Sequence, residues 1–353
     1  MAYTTIDKPT DYFETILYTG NGSSLEVNGL DFSPDWVWIK KRSNAANHMV
    51  YDSVRGIKKH LHANTADVEV SEADDDIGLN SFDSDGFTVK VNGNTNTNNH
   101  TYASWNWKAE TAFTNDASST GVGNLDSAGS ANDTAGFSIV TYTGGTGSAA
   151  TIKHGLSSAP KMMWVKPRSG SGVWLVYHKD IPVKGQLQLQ STGDVYEHSG
   201  NIYWNATHPT SSVFSIGTSG SVNASVNYVV YCFAEKKGYS KIGSYTGNGN
   251  VDGTFIYTGF KPAFVLTKQT DADDWWVIND TKRDTFNPST YGLRPNDSAA
   301  ASSDNAWTKD ILSNGFKHRT TNSGSNGDGN AYIYMAFAEN PFVTSTGIPA
   351  TAR

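Results

Sequence analysis

The sequence predicts an all-β chain of three tandem, homologous β-sandwich domains with lectin-like or jelly-roll-like layering, and three observations predict it. Short apolar runs alternate with stretches crowded with Asn, Ser, Thr and Gly. Only 17% of the 353 residues are charged and 34 are Gly, which favours strands joined by polar turns over long helices. A set of landmarks recurs three times along the chain, and the intervals between them are held nearly constant. Their period of about 100 residues is too long for a solenoid unit and suits one sandwich.

The elements follow in order. Residues 1–12 form an N-terminal arm, and the first unit spans 13–109, the second 137–235 and the third 239–339. Each unit opens on a short strand closed by one turn: Tyr18-Thr19-Gly20, Tyr142-Thr143-Gly144 and Tyr245-Thr246-Gly247. Next comes a Pro-led apolar strand that ends in Lys six positions later, Pro34 to Lys40, Pro160 to Lys166 and Pro262 to Lys268. Proline is tolerated at the first residue of a strand, where no ladder donor is lost. Alternation puts Trp36 and Trp38 on one face and Val37 and Ile39 on the other, so both faces are apolar and the strand is central in a covered sheet.

Twelve residues beyond each lysine a further apolar run finishes at Asp52, His178 and Asp280. Asp85-Gly86-Phe87 and Asn314-Gly315-Phe316 predict tight hairpins with positive backbone angles; Val213-Phe214-Ser215 is a weaker counterpart. The closing strands run Trp105 to Ala109, Tyr231 to Glu235 and Met335 to Glu339. Residues 110–136, small and polar, are expected to be an extended or partly mobile linker. Units two and three are joined only by Lys236-Lys237-Gly238, which holds them close. Residues 340–353 are expected to be a C-terminal tail.

Composition excludes several function classes. No run approaches eighteen apolar residues and Met1 to Thr10 lacks the pattern of a signal peptide, so the expectation is a chain made in the cytoplasm without a leader and not inserted in a membrane. A net charge of −7 argues against nucleic-acid binding. One cysteine, Cys232, leaves no intrachain disulfide and no thiolate metal site.

Few residues are candidates for chemistry. His60 and His62 share a strand face without a third ligand nearby, and a solvent-facing strand is the plainer reading. The runs Asp74-Asp75-Asp76 and Asp271, Asp273, Asp274, and the segment Asp83-Ser84-Asp85-Gly86, do not follow an EF-hand spacing. Asp52-x-x-Arg55 recurs as Asp280-x-x-Arg283, while the second unit carries His178 and Ile181; a pair that one copy abandons reads as structural. No GxSxG elbow, phosphate loop or HExxH helix is present, and no catalytic residue, metal or cofactor is expected. Most aromatics fall at core positions. Tyr196, Tyr203 and Trp204 in the second unit and Tyr291 and Trp307 in the third lie outside the shared strands, and are the candidates for stacking on a sugar.

Tyr3-Thr4-Thr5-Ile6-Asp7, Tyr18-Thr19-Gly20-Asn21-Gly22, Pro34 through Lys40, Asp52-Ser53-Val54-Arg55-Gly56, Tyr231 through Glu235 and the ending from Met335 through Asn340-Pro341-Phe342 to Arg353 resemble, over essentially the whole chain, a family of tail-fibre-like virion structural proteins of marine tailed bacteriophages. The resemblance implies a structural virion component on the particle surface and brings no catalytic residues with it. Because the first repeat begins near residue 13, the expectation is a compact component of tail or capsid that contributes to host-surface recognition, rather than a long fibre. The alternatives are a capsid decoration or cement protein with a purely architectural role, and a surface-polysaccharide depolymerase. Expected partners are other virion proteins, host-surface glycan and further copies of the chain, a trimer among the options; three units in one chain also offer a pseudo-threefold arrangement on their own.

Overall fold

A computed structural model describes residues 3–72 and 77–351; the run Asp74-Asp75-Asp76 lies outside them. The chain is all-β, with only short helical turns between strands. One pairing order recurs in three large antiparallel sheets. The opening strand pairs with the closing strand, which pairs with the Pro-led strand, which pairs with the strand after it. These strands are Phe13–Thr19, Thr101–Trp107, Trp36–Lys41 and Met49–Asp52 in the first unit. In the second they are Phe137–Thr143, Asn227–Phe233, Met162–Pro167 and Leu175–His178, and in the third Ser240–Thr246, Ala331–Pro341, Phe260–Gln269 and Val277–Asp280. The register is conserved as well, because Trp36 faces Trp107, Met162 faces Phe233 and Phe264 faces Phe337. Pro34 and Pro160 lie two residues ahead of their strands. In the third unit the strand starts earlier, and Pro262 sits at a bulge instead, another position that spares the ladder a donor.

A smaller sheet covers one face of each large sheet and makes a sandwich. It comprises Leu25–Asn28, Gly86–Val89 and Leu79–Asp83 in the first unit, Ala150–Lys153 and Val213–Ile216 in the second, and Phe255–Tyr257, Gly315–His318 and Lys309–Leu312 in the third. The predicted hairpins are present, but the reason for their glycines differs. Neither Gly86 nor Gly315 has a positive φ. A Cβ on Gly86 would lie 2.0 Å from the Val27 carbonyl oxygen, and one on Gly315 2.1 Å from that of Ile256, so close strand approach demands glycine there.

Each sandwich has its own core. Val37, Ile39 and Phe87 belong to the first, Met163, Val165 and Phe214 to the second, and Val265, Ile311 and Phe316 to the third. The opposite faces of all three large sheets meet in a fourth core. There Trp36 and Trp38 join Trp105, Trp107, Phe137, Trp164, Phe233, Phe264 and Phe337, none more than 1% exposed. This is why the Pro-led strands are apolar on both faces. Trp36 alone stacks on Tyr231 at 4.7 Å and on Phe137 at 5.7 Å, and its ring centre lies 5.7 Å from that of Trp164.

Buried polar groups join the units in cyclic order. The recurring lysines are all less than 1% exposed. Lys166 Nζ donates to Asp67 O of the first unit at 2.7 Å, Lys268 Nζ to Thr192 O of the second at 3.1 Å, and Lys40 Nζ to Ser298 O of the third at 2.9 Å. Trp174 Nε1 donates to His62 O at 2.8 Å and Trp276 Nε1 to Gln188 O at 3.0 Å, repeating the same step. The ring of contacts therefore closes within one chain.

The Asp-x-x-Arg pairs stand at the same joints. Arg55 Nε donates to Asp52 Oδ2 at 2.5 Å, and Tyr231 of the second unit donates to the same oxygen at 2.7 Å. Arg283 Nε donates to Asp280 Oδ2, which also accepts Trp105 Nε1 of the first unit at 3.0 Å. In the second unit burial pushes the His178 imidazole down to about 4, so a neutral group holds that position.

Two expectations require correction, those for residues 110–136 and for His60 and His62. Residues 110–136 are not a mobile linker: Thr111–Asn115 and Ser127–Asn132 extend the large sheet of the second unit. Their residues are small because the strands pack closely, and a Cβ on Gly129 would lie 2.0 Å from the Ile139 carbonyl oxygen. The arm and tail pack on each other and on the third unit. Tyr3 stacks edge-on against Phe342 at 6.1 Å and donates to Gly259 O, while Ser345 N donates to Asp7. His60 and His62 do not face solvent. His60 is 4% exposed, its Nδ1 stands 3.4 Å from Glu72 Oε1, and burial lowers its pKa to about 4.

Candidate functional site: a tyrosine-lined cleft

Past His178 the large sheet of the second unit continues through Gly185–Gln188 to the short strand Tyr196–Glu197. Gln186 pairs with Tyr196 across this edge, which puts their side chains on one face. The intervening loop is pinned to the third unit, because Asp194 N donates to Asp273 Oδ1 at 3.2 Å, Val195 N to Thr270 O at 3.0 Å, and Asp274 N donates back to Thr192 O at 2.8 Å. Residues 198–203 then return, with Gly200 N donating to His198 Nδ1 and Gly217 N to Tyr203 O.

These segments enclose a cleft of about 360 Å³ lined by Gln186, Gln188, Ser191, Gly193, Asp194, Tyr196 and Tyr203. Tyr196 is 52% exposed. The His198 ring contacts both tyrosines, 6.3 Å from Tyr196 and 6.4 Å from Tyr203. Burial, with Tyr196 nearby, raises the pKa of Tyr203, so its hydroxyl stays protonated at neutral pH. Gln186 is 3% exposed, and its Oε1 has no partner. A buried amide oxygen without a donor is unfavourable, and a ligand hydroxyl would supply one. The cleft thus combines aromatic faces, an unsatisfied acceptor, a serine hydroxyl and one carboxylate. That set suits a hydroxyl-rich ligand.

The five sequence candidates divide accordingly. Tyr196 and Tyr203 converge. Trp204, their neighbour in sequence, is a correction: it is 1% exposed, packs edge-on against Tyr177 at 5.6 Å, and donates through Nε1 to Gly185 O at 2.9 Å. Its ring is the floor beneath the cleft strand, not a surface for stacking. Trp307 is likewise buried, at 5%, and fills the space beside Gly292, where a Cβ would stand 2.2 Å from its ring. Tyr291 is exposed on the short strand Tyr291–Gly292 of the third unit, away from the cleft.

A second, larger depression of about 630 Å³ is lined by Asp116, Asp126 and Arg168 among others. Its carboxylates already have structural work. Asp116 caps the turn Ala117–Thr120, and hydrogen bonds from Ser118 and Ser119 hold its pKa below the usual range. Asp126 Oδ1 accepts Ala117 N at 2.8 Å. The run Asp271, Asp273, Asp274 is similarly engaged in turn and joint contacts. Among the described residues, no three His, Cys, Asp or Glu side chains are grouped to hold a metal.

One recurring residue escaped the sequence reading. Asn96, Asn223 and Asn326 are buried and hold the opening turns, accepting from Asn21 N, Gly145 N and Asn248 N at 2.9, 3.0 and 3.1 Å. Its signal was an Asn five or six residues before the tyrosines of the closing strands, Tyr102, Tyr228 and Tyr332. These stack on the opening-strand tyrosines Tyr18, Tyr142 and Tyr245 at 4.8 to 4.9 Å.

A family model described as a domain of unknown function, DUF7483, matches residues 8–341. No curated protein and no solved structure matches the chain.

Proposed function

Because the chain belongs to the DUF7483 family, which is defined without a function, its role has to come from its own geometry, and we propose that it is a structural component of a bacteriophage particle surface that contacts host-surface glycan through the Tyr196–Tyr203 cleft. The observation that carries this reading is the cleft itself, lined by two tyrosines and by Gln186, whose buried Oε1 has no partner. The virion setting is supported by the sequence resemblance. The interlocked body supports it too, since a shared aromatic core and buried joints give stiffness without a disulfide. Binding is favoured over depolymerisation because the cleft lining includes one carboxylate, Asp194, whereas glycoside hydrolysis ordinarily uses two. Copies displayed together would let a weak contact act collectively.

The test is adsorption of the purified protein to host cells and to a glycan array, with Tyr196→Ala and Tyr203→Ala beside the parent chain. Host-dependent binding that both substitutions reduce is expected. A parent chain that binds neither cells nor glycans overturns the recognition role. Phage particles that lack the protein, adsorb normally and lose heat resistance would instead establish a cement role.

A further inference from the structure

The third unit buries a set of polar groups that its sibling sandwiches do not have. In the small sheets, Phe87 pairs with Val27, Phe214 with Ile152 and Phe316 with Ile256. Two residues further on, the first two units place Val89 and Ile216, and the third places His318. The neighbouring strand repeats the exchange. Leu79 faces Val89 in the first unit, and Lys309 faces His318 in the third. Ser289 bridges Lys309 from the other side through two backbone hydrogen bonds of 2.7 and 3.0 Å.

Ser289, Lys309 and His318 thus form one row across three adjacent antiparallel segments, with side chains on a common, inward face. They are 1%, 0% and 0% exposed. Ser289 Oγ, Lys309 Nζ and both ring nitrogens of His318 have no hydrogen-bond partner. The surroundings supply none. Lys309 Nζ lies 5.6 Å from the Phe316 ring, and Tyr245 stacks on His318 at 5.0 Å with its own hydroxyl committed to Ser325 O. Asp310 is on the alternate face, paired with Arg319. The other buried lysines all have partners: Lys40, Lys166 and Lys268 donate to carbonyls, Lys41 donates to Thr97 Oγ1 and Lys261 pairs with Glu339, so among the described residues burial without acceptors is particular to this position. Burial alone pushes Lys309 down to about 7.

An ammonium, a hydroxyl and an imidazole are all able to donate, and the row contains no carboxylate. Buried donors of this kind call for an acceptor, and a buried positive charge calls for a negative one. We propose that Ser289, Lys309 and His318 form an internal binding site for a small inorganic anion of halide size. The row's donors would coordinate it away from solvent, since all three residues are buried. This inference is independent of the glycan reading, since it concerns a different unit and a different ligand.

The experiment uses the full chain and sodium bromide or chloride as probe, with sodium gluconate at equal ionic strength as the excluded-anion control. Crystals grown in bromide should show an anomalous peak in contact with Lys309 Nζ. Chloride should raise the melting temperature over gluconate by roughly 3–4 °C when present at about a hundredfold its dissociation constant. Lys309→Met and His318→Val should both abolish that difference. If Lys309→Met does not fold, His318→Val, which restores the sibling residue, decides. A site holding ordered water only, or a melting temperature identical in chloride and gluconate, overturns the proposal.

Discussion

Asp52→Ala tests whether buried charge holds the first two units together. Both members of the Asp52–Arg55 pair have fully buried side chains. Asp52 Oδ2 accepts Arg55 Nε and the Tyr231 hydroxyl, and Oδ1 accepts Arg55 N at 2.7 Å. Removing the carboxylate leaves a guanidinium inside the joint with Glu69 as its remaining ionic partner, at 3.1 Å and shared with Arg168. Breaking a buried pair in this way costs about 3–5 kcal/mol. For a chain of this length the unfolding entropy is roughly 0.7 kcal/mol/K, so the expected fall in melting temperature is about 4–7 °C.

The sharper expectation concerns sign. Asp52→Ala/Arg55→Met removes both charges and should be more stable than Asp52→Ala alone, because the uncompensated ion is gone. Tyr231→Phe should cost about 1–3 kcal/mol and couple to Asp52→Ala by about 0.5–3 kcal/mol, although the two residues belong to different units. Calorimetry and urea unfolding measure the parent and four variants, Asp52→Ala/Tyr231→Phe among them. A single-variant loss below about 1 kcal/mol, or a double variant no more stable than Asp52→Ala, would refute the reasoning.

Three further outcomes are expected. Burial pushes the ammonium groups of Lys40, Lys166 and Lys268 down from 10.5 to about 8; the folded chain therefore releases these protons before the unfolded chain does, and stability should rise as pH climbs above 8, by up to about 1.4 kcal/mol per pH unit per lysine. Urea midpoints compared between about pH 8 and 9.5 check this, and Lys166→Met should show a shallower slope. Trp204→Ala should destabilise the chain by about 3–5 kcal/mol while Tyr196→Ala stays within about 0.5 kcal/mol, so thermal denaturation separates the core aromatic from the cleft aromatic. Cys232 is buried and its thiol is pushed up to about 12 by desolvation; a thiol reagent should label it only as fast as the chain opens, and rapid native-state labelling would contradict this.

The fold was legible where the sequence had to keep a register. Pro34 to Lys40 and its two counterparts span one central strand each, and a one-residue slip would move Trp36 and Trp38 out of the shared core, so the interval is preserved. The recurrence of the lysines was equally visible, but not its cause, because Asp67, Ser298 and Thr192 contribute only backbone carbonyls, which any residue carries. Residues 110–136 were misread because strands that approach closely select Ala, Ser and Gly, the same residues that compose flexible connectors. At the candidate site, Tyr196 and Tyr203 could be singled out as aromatics beyond the shared strands. Nothing local distinguished them from Trp204 and Trp307, whose loops turn inward. Gln186 gave no signal, since an unpartnered amide is visible only in three dimensions.

The closed ring of units has a consequence for stoichiometry. Three copies in one polypeptide are free to diverge, and they have done so: only the second carries the tyrosine pair at its cleft edge, and only the third replaces apolar residues with Lys309 and His318. A symmetric trimer of identical chains would show each surface three times, whereas this body shows each once. Internal repetition therefore contributes rigidity but no valency. If the chain binds glycan as proposed, a collective grip would have to come from the number and spacing of whole molecules.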